Sequence, residues 1–387
     1  MEVREGLSYG DVLVVPKRSP VDSRSDVDLT TNLTPNIELD APVLSAPMDT
    51  VTETATAVAL DAVGGLGVVH RFLDIDEQAD AVRRASEAGA QVGAAVGIDE
   101  DYHTRTAAVV DAGADCVVVD VAHGHMERCL DAVAELDGAF DVDIVAGNVV
   151  TAAGVTDLAA AGADAVKVGV GPGSHCTTRK VTGAGMPQLT AVDDCAEAAA
   201  DLDVCIVADG GIRTSGDAVK ALMAGADTVM LGSFFAGTDE APGAVVTVDG
   251  QRFKRTRGMS TTAANEARSD KADNSPGADE GVEGLTPYTG PLEPKTTEFL
   301  WGVRSGVSYC GGHTLAEARA NAEFVRVSPS AAEREGAHGV RLEPSRGREH
   351  DGVTGPDENA DEERTNGERG GDGESGGDGD EPLAPRH

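Results

Sequence analysis

Lysine is scarce in this chain. Seven residues (Lys17, Lys167, Lys180, Lys220, Lys254, Lys271 and Lys295) stand against 67 aspartates and glutamates, and the formal charge is −36 over 387 residues. Nucleic acid and anionic membrane surfaces are held by clustered Lys and Arg, so this balance excludes non-specific binding to either. A phosphorylated small molecule is not excluded, because backbone N–H groups can hold one. A carboxylate-rich, lysine-poor surface reads as adaptation to high salt, where screening removes self-repulsion. Cysteines are few and scattered: Cys116, Cys129, Cys176, Cys195, Cys205 and Cys310 show no CxxC or zinc-like spacing, which argues against a structural metal or a disulfide framework. Long apolar runs are missing as well. No segment approaches the roughly 18 apolar residues of a membrane span, and no basic-then-apolar leader opens the chain. A cytoplasmic protein with no membrane partner is expected.

What is present is a 40% apolar content concentrated in an Ala/Val/Gly-rich middle, which excludes wholesale disorder. Length alone allows two or three domains or a single α/β barrel. Between about Ala41 and Thr238, APVLSAP, GLGVVH, QVGAAVG, DCVVVDVA, DIVAGN, DAVKVGVG, VCIVADGG and DTVMLGS read as buried strands. Amphipathic stretches such as EQADAVRRASEAGA and SGDAVKALMAGA separate them. Eight such βα units predict an α/β fold of the (β/α)8 TIM barrel type, with the chemistry on loops after the strands. A doubly wound open sheet is the alternative, but no GxGxxG follows an early strand. The phrase AGAD recurs at Ala112, Ala161 and Ala224, each marking a helix end and entry to the next strand.

Residues 251–292 break this rhythm with a polar, Gly/Pro-punctuated stretch too long for a plain connection, as expected of a long active-site flap. A helix over Thr296–Ser305 and a helix plus strand over Leu315–Val327 follow. Residues 1–343 are therefore expected to form the barrel unit, and 344–387 a disordered acidic tail with almost nothing to bury. Residues 351–387 hold twelve of the acids and three arginines, so the acidic balance does not rest on the tail.

Cys176 lies in VGVGPGSHCTTRK, directly after a predicted strand and on a Gly-rich loop. Glycines let backbone N–H groups approach an anion, and a thiolate there can attack an electrophilic carbon and leave again. Its neighbours are Gly, Ser, Thr and Arg rather than core residues. The other five cysteines fit an inert, buried reading. The loops DGGIRTSGD (209–217) and LGSFFAG (231–237) follow the last two strands, where barrels commonly cradle phosphate. Asp209 at a strand end could accept from ribose hydroxyls. With Ser174 and Cys176, these loops suggest a nucleoside monophosphate whose base lies beside the thiol. Lys167 or Arg213 could offset its charge locally.

LSAPMDTVTE, DVAHGH, AGNVVTAAG, KVGVGPGSHCTTR, ADGGIRTSGD, VMLGSFFAGTDEAPG, RGMS and EGVEGLTPYTG resemble the inosine monophosphate dehydrogenase/guanosine monophosphate reductase family over roughly Leu7 to Val340. The resemblance implies a barrel assembled as a homotetramer, a covalent bond between Cys176 and purine C2, and a nicotinamide cofactor exchanging hydride at that carbon. With the acidic composition it suggests a halophilic, archaeal setting.

Reductase-like features are PKRSPVDSRSDVDLT, VVHRF, RGMS and TGAGMPQLTAV, together with the lack of an Arg-Tyr dipeptide between Gly258 and Glu280, where only Arg268 occurs. That dipeptide activates water in dehydrogenases. FAGTDEAPG and FVRVSPSAAEREGAHGV look like dehydrogenases, the latter resembling a segment that helps bind a monovalent cation. The paired regulatory domains usual in dehydrogenases are absent, since one helix fits between His70 and Gln91.

The expected activity is NADPH-dependent conversion of GMP to IMP and ammonia. The alternatives are NAD-dependent oxidation of IMP, and a non-catalytic purine-nucleotide-binding paralogue. The resemblance implies Cys176 as nucleophile, with Thr178 and Glu280 handling protons on the leaving amine. It places Ser45, Ser174, Asp209, Gly211, Gly232 and Ser233 on phosphate and ribose, and Met259 and Ser260 on the base. Asp120 and Asn148 would lie near the nicotinamide, and K+ near Gly171, Gly173 and Cys176. His123 and His125 are spaced like metal ligands but lack a third, which favours a non-metal reading.

Overall fold

The computed structural model describes residues 3–99, 101–268 and 279–332. The eight expected strands are all present: β1 (Val43–Ser45), β2 (Leu66–Val69), β3 (Val92–Val96), β4 (Cys116–Asp120), β5 (Asp143–Val149), β6 (Ala165–Val168), β7 (Cys205–Asp209) and β8 (Thr228–Leu231). Each pairs in parallel with its sequence neighbours, and β8 pairs with β1, which closes the barrel. Helices α1 (Thr54–Asp61), α2 (Ile75–Glu87), α3 (Tyr102–Asp111), α4 (Glu127–Ala139), α5 (Ala152–Ala160), α6 (Gln188–Ala199), α7 (Ser215–Met223) and α8 (Leu292–Tyr309) follow the strands in turn. The barrel is therefore of the (β/α)8 class. Helix α8 extends beyond the expected 296–305 at both ends.

Strand alternation builds two cores. Side chains at alternate positions fill the barrel: Leu44, Leu66, Val68, Ala95, Cys116, Val118, Val145, Val207 and Met230. Their neighbours, such as Val117, Val119 and Val96, pack outward against the helices. A hairpin of Thr31–Thr34 and Ile37–Leu39, lying before the eight βα units, plugs the bottom with Leu33, Ile37 and Leu39. Asn36 Nδ2 donates to Asp143 Oδ1 at 2.9 Å and ties the plug to the start of β5.

The AGAD phrases close a reciprocal clamp at the same end. Asp115 N donates to Val92 O at 2.9 Å while Val92 N donates to Asp115 Oδ2 at 2.7 Å. Asp164 and Ile144, and Asp227 and Ile206, repeat the exchange. Each aspartate thus saturates the entry of the preceding strand, where an unmet backbone group would be costly. At the other end, helix starts are capped by side chains: Asp74 on α2, Thr151 on α5 and Thr214 on α7.

The stretch expected as a long flap is not a plain loop. Val245–Val248, Gln251–Arg257 and Glu283–Pro287 form a three-stranded antiparallel sheet, and Thr262–Ala267 is a short helix. The strand Gln251–Arg257 escaped notice because its residues are charged. Its one buried cation, Lys254, donates to the carbonyls of Asp239 and Ala241 and so satisfies its charge inside the fold. Val12–Val14 pairs with Phe324–Arg326, joining the first and last described strands. The chain divides into units 1–343 and 344–387; the expected tail, 344–387, lies outside the described residues. Among the described residues no helix is long and apolar enough to cross a membrane.

Candidate active site

Seven of the eight loops at the C-terminal end of the barrel, together with Asn148 of β5, converge on one cavity of about 600 Å³, within the range of small-molecule and cofactor sites. The loop after β6 carries Cys176 into it. Arg179 braces this loop from behind, its Nε donating to Val170 O at 2.9 Å.

Three distant segments zip together beside the thiol. Thr177 N donates to Glu280 O (2.8 Å), Val282 N to His175 O (2.9 Å), Gly258 N to Val282 O (3.0 Å) and Glu280 N to Ser260 O (3.1 Å). A β-carbon on Gly258 would come within 3.0 Å of His175 O, and one on Gly281 within 3.0 Å of the Thr261 side chain, so the glycines of RGMS and EGV permit this approach. The zipper places a carboxylate opposite the nucleophile loop. The Cys176 thiol donates to Thr178 Oγ1 at 3.1 Å, and the Thr178 hydroxyl donates to Glu280 Oε2 at 2.8 Å. Such a chain can carry a proton between sulfur and carboxylate in either direction. His175 Nε2 meets Thr256 Oγ1 at 2.8 Å. Burial lowers the His175 pKa, which favours the neutral ring.

The cavity floor is a charged hub. Lys167 Nζ on β6 donates to Asp120 Oδ1 and Asp209 Oδ2, each at 2.7 Å, and to Asn148 Oδ1. Asn148 Nδ2 donates to Asp209 Oδ2 at 2.9 Å and to Gly169 O at 2.7 Å. Lys167 is 2% exposed. Burial works against its charge, but the carboxylates of Asp120 and Asp209 outweigh that and hold its pKa above the ordinary lysine range. The hub fixes Asp120, Asn148 and Asp209 in one constellation at three strand ends.

Ser174, Asp209, Gly211, Gly232, Ser233, Met259, Ser260, Asp120, Asn148, Gly171 and Gly173 all line the same cavity as Cys176, Thr178 and Glu280. Gly210, Gly211 and Gly232 give it a wall without side chains, suited to an anion held by N–H groups.

Ser45 does not line it. That residue is fully buried and its hydroxyl accepts from Thr52 at 2.8 Å. Lys167, considered as a local cation for the ligand, is instead spent on the hub. Arg213 is 78% exposed beside Asp217, outside the lining. His125 Nε2 meets Asp157 at 2.7 Å. Among the described residues no group of three or more His, Cys, Asp or Glu is arranged to hold a metal ion. The segment expected to help complete a monovalent cation site, 324–340, lies partly outside the described residues.

Sequence reasoning assigned no role in the site to Arg71, Phe72 or Arg268, which also line the cavity. Nothing in their local pattern marks them; only the barrel brings the loops after β2 and β8 together. The remaining cysteines are inert by environment. Burial pushes the Cys129 thiol up to about 11 and those of Cys195 and Cys205 to about 12, and it raises Cys116 and Cys310 too.

A family model described as the IMP dehydrogenase/GMP reductase domain matches residues 6–338. The chain is 36% identical to the inosine-5'-monophosphate dehydrogenase of Nitrosopumilus maritimus, covering 88% of this chain and 100% of that one. It is 35% identical to the GMP reductase of Leishmania donovani, covering 87% and 97%. The structure superimposes with a TM-score of 0.83 on a crystal structure of GMP reductase C318A from Trypanosoma brucei in complex with guanosine 5'-monophosphate, at 33% identity over 88% of this chain and 99% of that one. The first two alignments run to 475 and 478 residues, far beyond the 387 of this chain, whereas that with the Borreliella burgdorferi dehydrogenase, at 395, is close to its length. The longer form thus occurs under both names, and length does not separate the two activities. Motifs, fold and matches agree: the chain belongs to the IMP dehydrogenase/GMP reductase family.

Proposed function

We propose that this protein is a GMP reductase, converting GMP to IMP and ammonia with NADPH through a covalent bond from Cys176 to purine C2. The observation that carries the reading is the chain of hydrogen bonds from Cys176 through Thr178 to Glu280. Attack of sulfur on C2 sheds the thiol proton, which passes through the Thr178 hydroxyl to Glu280. The same path returns a proton to the C2 amine, so the C2–N bond breaks with ammonia rather than an amide ion as leaving group. The site also fits a nicotinamide: Asp120 and Asn148 stand on the cavity floor, and the lining continues to Arg71, Phe72 and Arg268. When bound, that group supplies hydride to C2. The C2–S bond then breaks and the sulfur leaves as thiolate.

Ser174, Gly211, Gly232 and Ser233 are assigned to the phosphate, Asp209 to the ribose, and Met259 and Ser260 to the base. A monovalent cation such as K+ near Gly171 and Gly173 belongs to the same reading. Residues 1–343 are taken as the catalytic unit, acting as a homotetramer.

The second reading, NAD-dependent oxidation of IMP, is favoured by the 36% identity to the Nitrosopumilus dehydrogenase. Two incubations separate them: GMP with NADPH, and IMP with NAD. Ammonia release from the first is expected. NADH formation in the second without ammonia in the first overturns the reductase reading.

A further inference from the structure

His175, the residue immediately before the nucleophile, has both ring nitrogens engaged by protein hydroxyls. Its Nδ1 meets Ser174 Oγ at 3.1 Å and its Nε2 meets Thr256 Oγ1 at 2.8 Å. Thr256 Oγ1 in turn meets Thr286 Oγ1 at 2.9 Å. Four side chains from three separate segments therefore form one unbroken line. It starts at Ser174, exposed on the cavity wall, and runs through Thr256, 3% exposed, to Thr286. No step above uses it.

The far end of the line reaches the flap at two points that bracket the site residues. Thr256 lies on the strand Gln251–Arg257, which leads into Met259 and Ser260, and Thr286 lies on the strand Glu283–Pro287, which follows Glu280. The main chain of His175 is held as firmly as its ring, its carbonyl accepting from Val282 N at 2.9 Å. Gly258 and Gly281 press on that carbonyl, since a β-carbon on either would lie within 3.2 Å of it. With no free space around the residue, a reoriented ring moves the flap strands rather than slack side chains.

We propose that His175 is a positioning residue that relays occupation of Ser174 by the nucleotide phosphate to the two flap strands. The inference rests on the reading that Ser174 holds that phosphate. Dianionic phosphate oxygens only accept, so a phosphate at Ser174 takes the single hydroxyl proton of that residue. Ser174 Oγ then accepts from His175 Nδ1–H. In a neutral imidazole one nitrogen donates and the other accepts, which leaves Nε2 to accept from the Thr256 hydroxyl. Thr256 Oγ1 accepts in its turn from the Thr286 hydroxyl. The phosphate thus fixes the sense of every hydrogen bond in the line, whereas an empty site leaves both senses open. Binding energy from a group that takes no part in the reaction is used in this way to settle the strands around Met259, Ser260 and Glu280.

Binding of IMP alone to the full chain, measured by calorimetry, tests this, because IMP without cofactor reacts under neither reading of the activity. Thr256 does not line the cavity. Thr256→Val, which keeps the shape and removes the hydroxyl, should nevertheless weaken IMP binding about threefold to tenfold, the scale of one hydrogen bond. Thr256→Ser restores the hydroxyl and should bind within about twofold of wild type. His175→Phe, with a flat ring and no nitrogens, should lose at least as much as Thr256→Val. In a Ser174→Ala background the line no longer reaches the phosphate, and adding Thr256→Val should then cost less than about twofold. Losses that add in that double variant overturn the relay. So does wild-type affinity in Thr256→Val, or a Thr256→Ser protein as weak as Thr256→Val. Wild-type affinity in Ser174→Ala alone overturns instead the phosphate assignment on which the relay rests.

Discussion

Thr178 and Glu280 are 102 positions apart in the chain and 2.8 Å apart in space. Thr178 opens the short helix after Cys176, and Glu280 lies in the second half of the flap. The backbone zipper between the two loops delivers the carboxylate to the hydroxyl. Thr178→Val keeps the side-chain shape and removes the oxygen. Its kcat for GMP reduction should fall by roughly 10²- to 10⁴-fold, the scale of general acid–base catalysis, while the KM for GMP stays within about twofold of wild type. A drop in KM-derived affinity with intact kcat would instead make Thr178 a binding residue.

Cys176→Ala should retain GMP binding, measured by calorimetry, and lose turnover. Measurable steady-state turnover in this variant would rule out a covalent route through sulfur.

Removing the cation from the hub should cost stability as well as activity. Lys167→Met leaves Asp120 and Asp209 facing one another without their shared partner, and loss of one member of such a buried network costs about 3–5 kcal/mol. The folded pKa of Lys167 lies above its unfolded value, so its contribution is complete below the unfolded pKa and is lost as pH rises through the folded one. Between about pH 6 and 9 the stability difference from wild type, measured by chemical denaturation, should therefore be flat. A steep slope in that window would show that Lys167 titrates there.

Arg257 reaches Asp49 in the loop after β1, its Nε donating to Asp49 Oδ2 at 2.9 Å. This pair fixes the start of the RGMS turn and with it Met259 and Ser260. Asp49→Asn should raise the KM for the nucleotide several-fold with a smaller effect on the melting temperature. An unchanged KM would show that the turn holds its place without the pair.

The barrel was legible because each strand is a short β-branched run and each helix an Ala-rich amphipathic stretch, periods that packing on both faces of a parallel sheet demands. Cys176 was legible from its glycines. The hub was not: Asp120, Asn148, Lys167 and Asp209 sit on four strands, and the charge of a lysine says nothing about the carboxylates that will surround it. The strand Gln251–Arg257 was hidden by its arginines and lysine. Ser45 misled in the opposite direction. Its motif is intact, but its hydroxyl is turned to Thr52 inside the fold.

The contrast among the six cysteines has a practical consequence. Four are fully buried, and the fifth, Cys205, is partly covered with its thiol pushed up to about 12. Cys176 alone opens on the cavity. A single alkylating reagent should therefore label one sulfur per folded chain, and nucleotide should shield it. That stoichiometry turns the native protein, with no cysteine replaced, into its own active-site titrant, in which the extent of labelling counts the competent chains in a preparation.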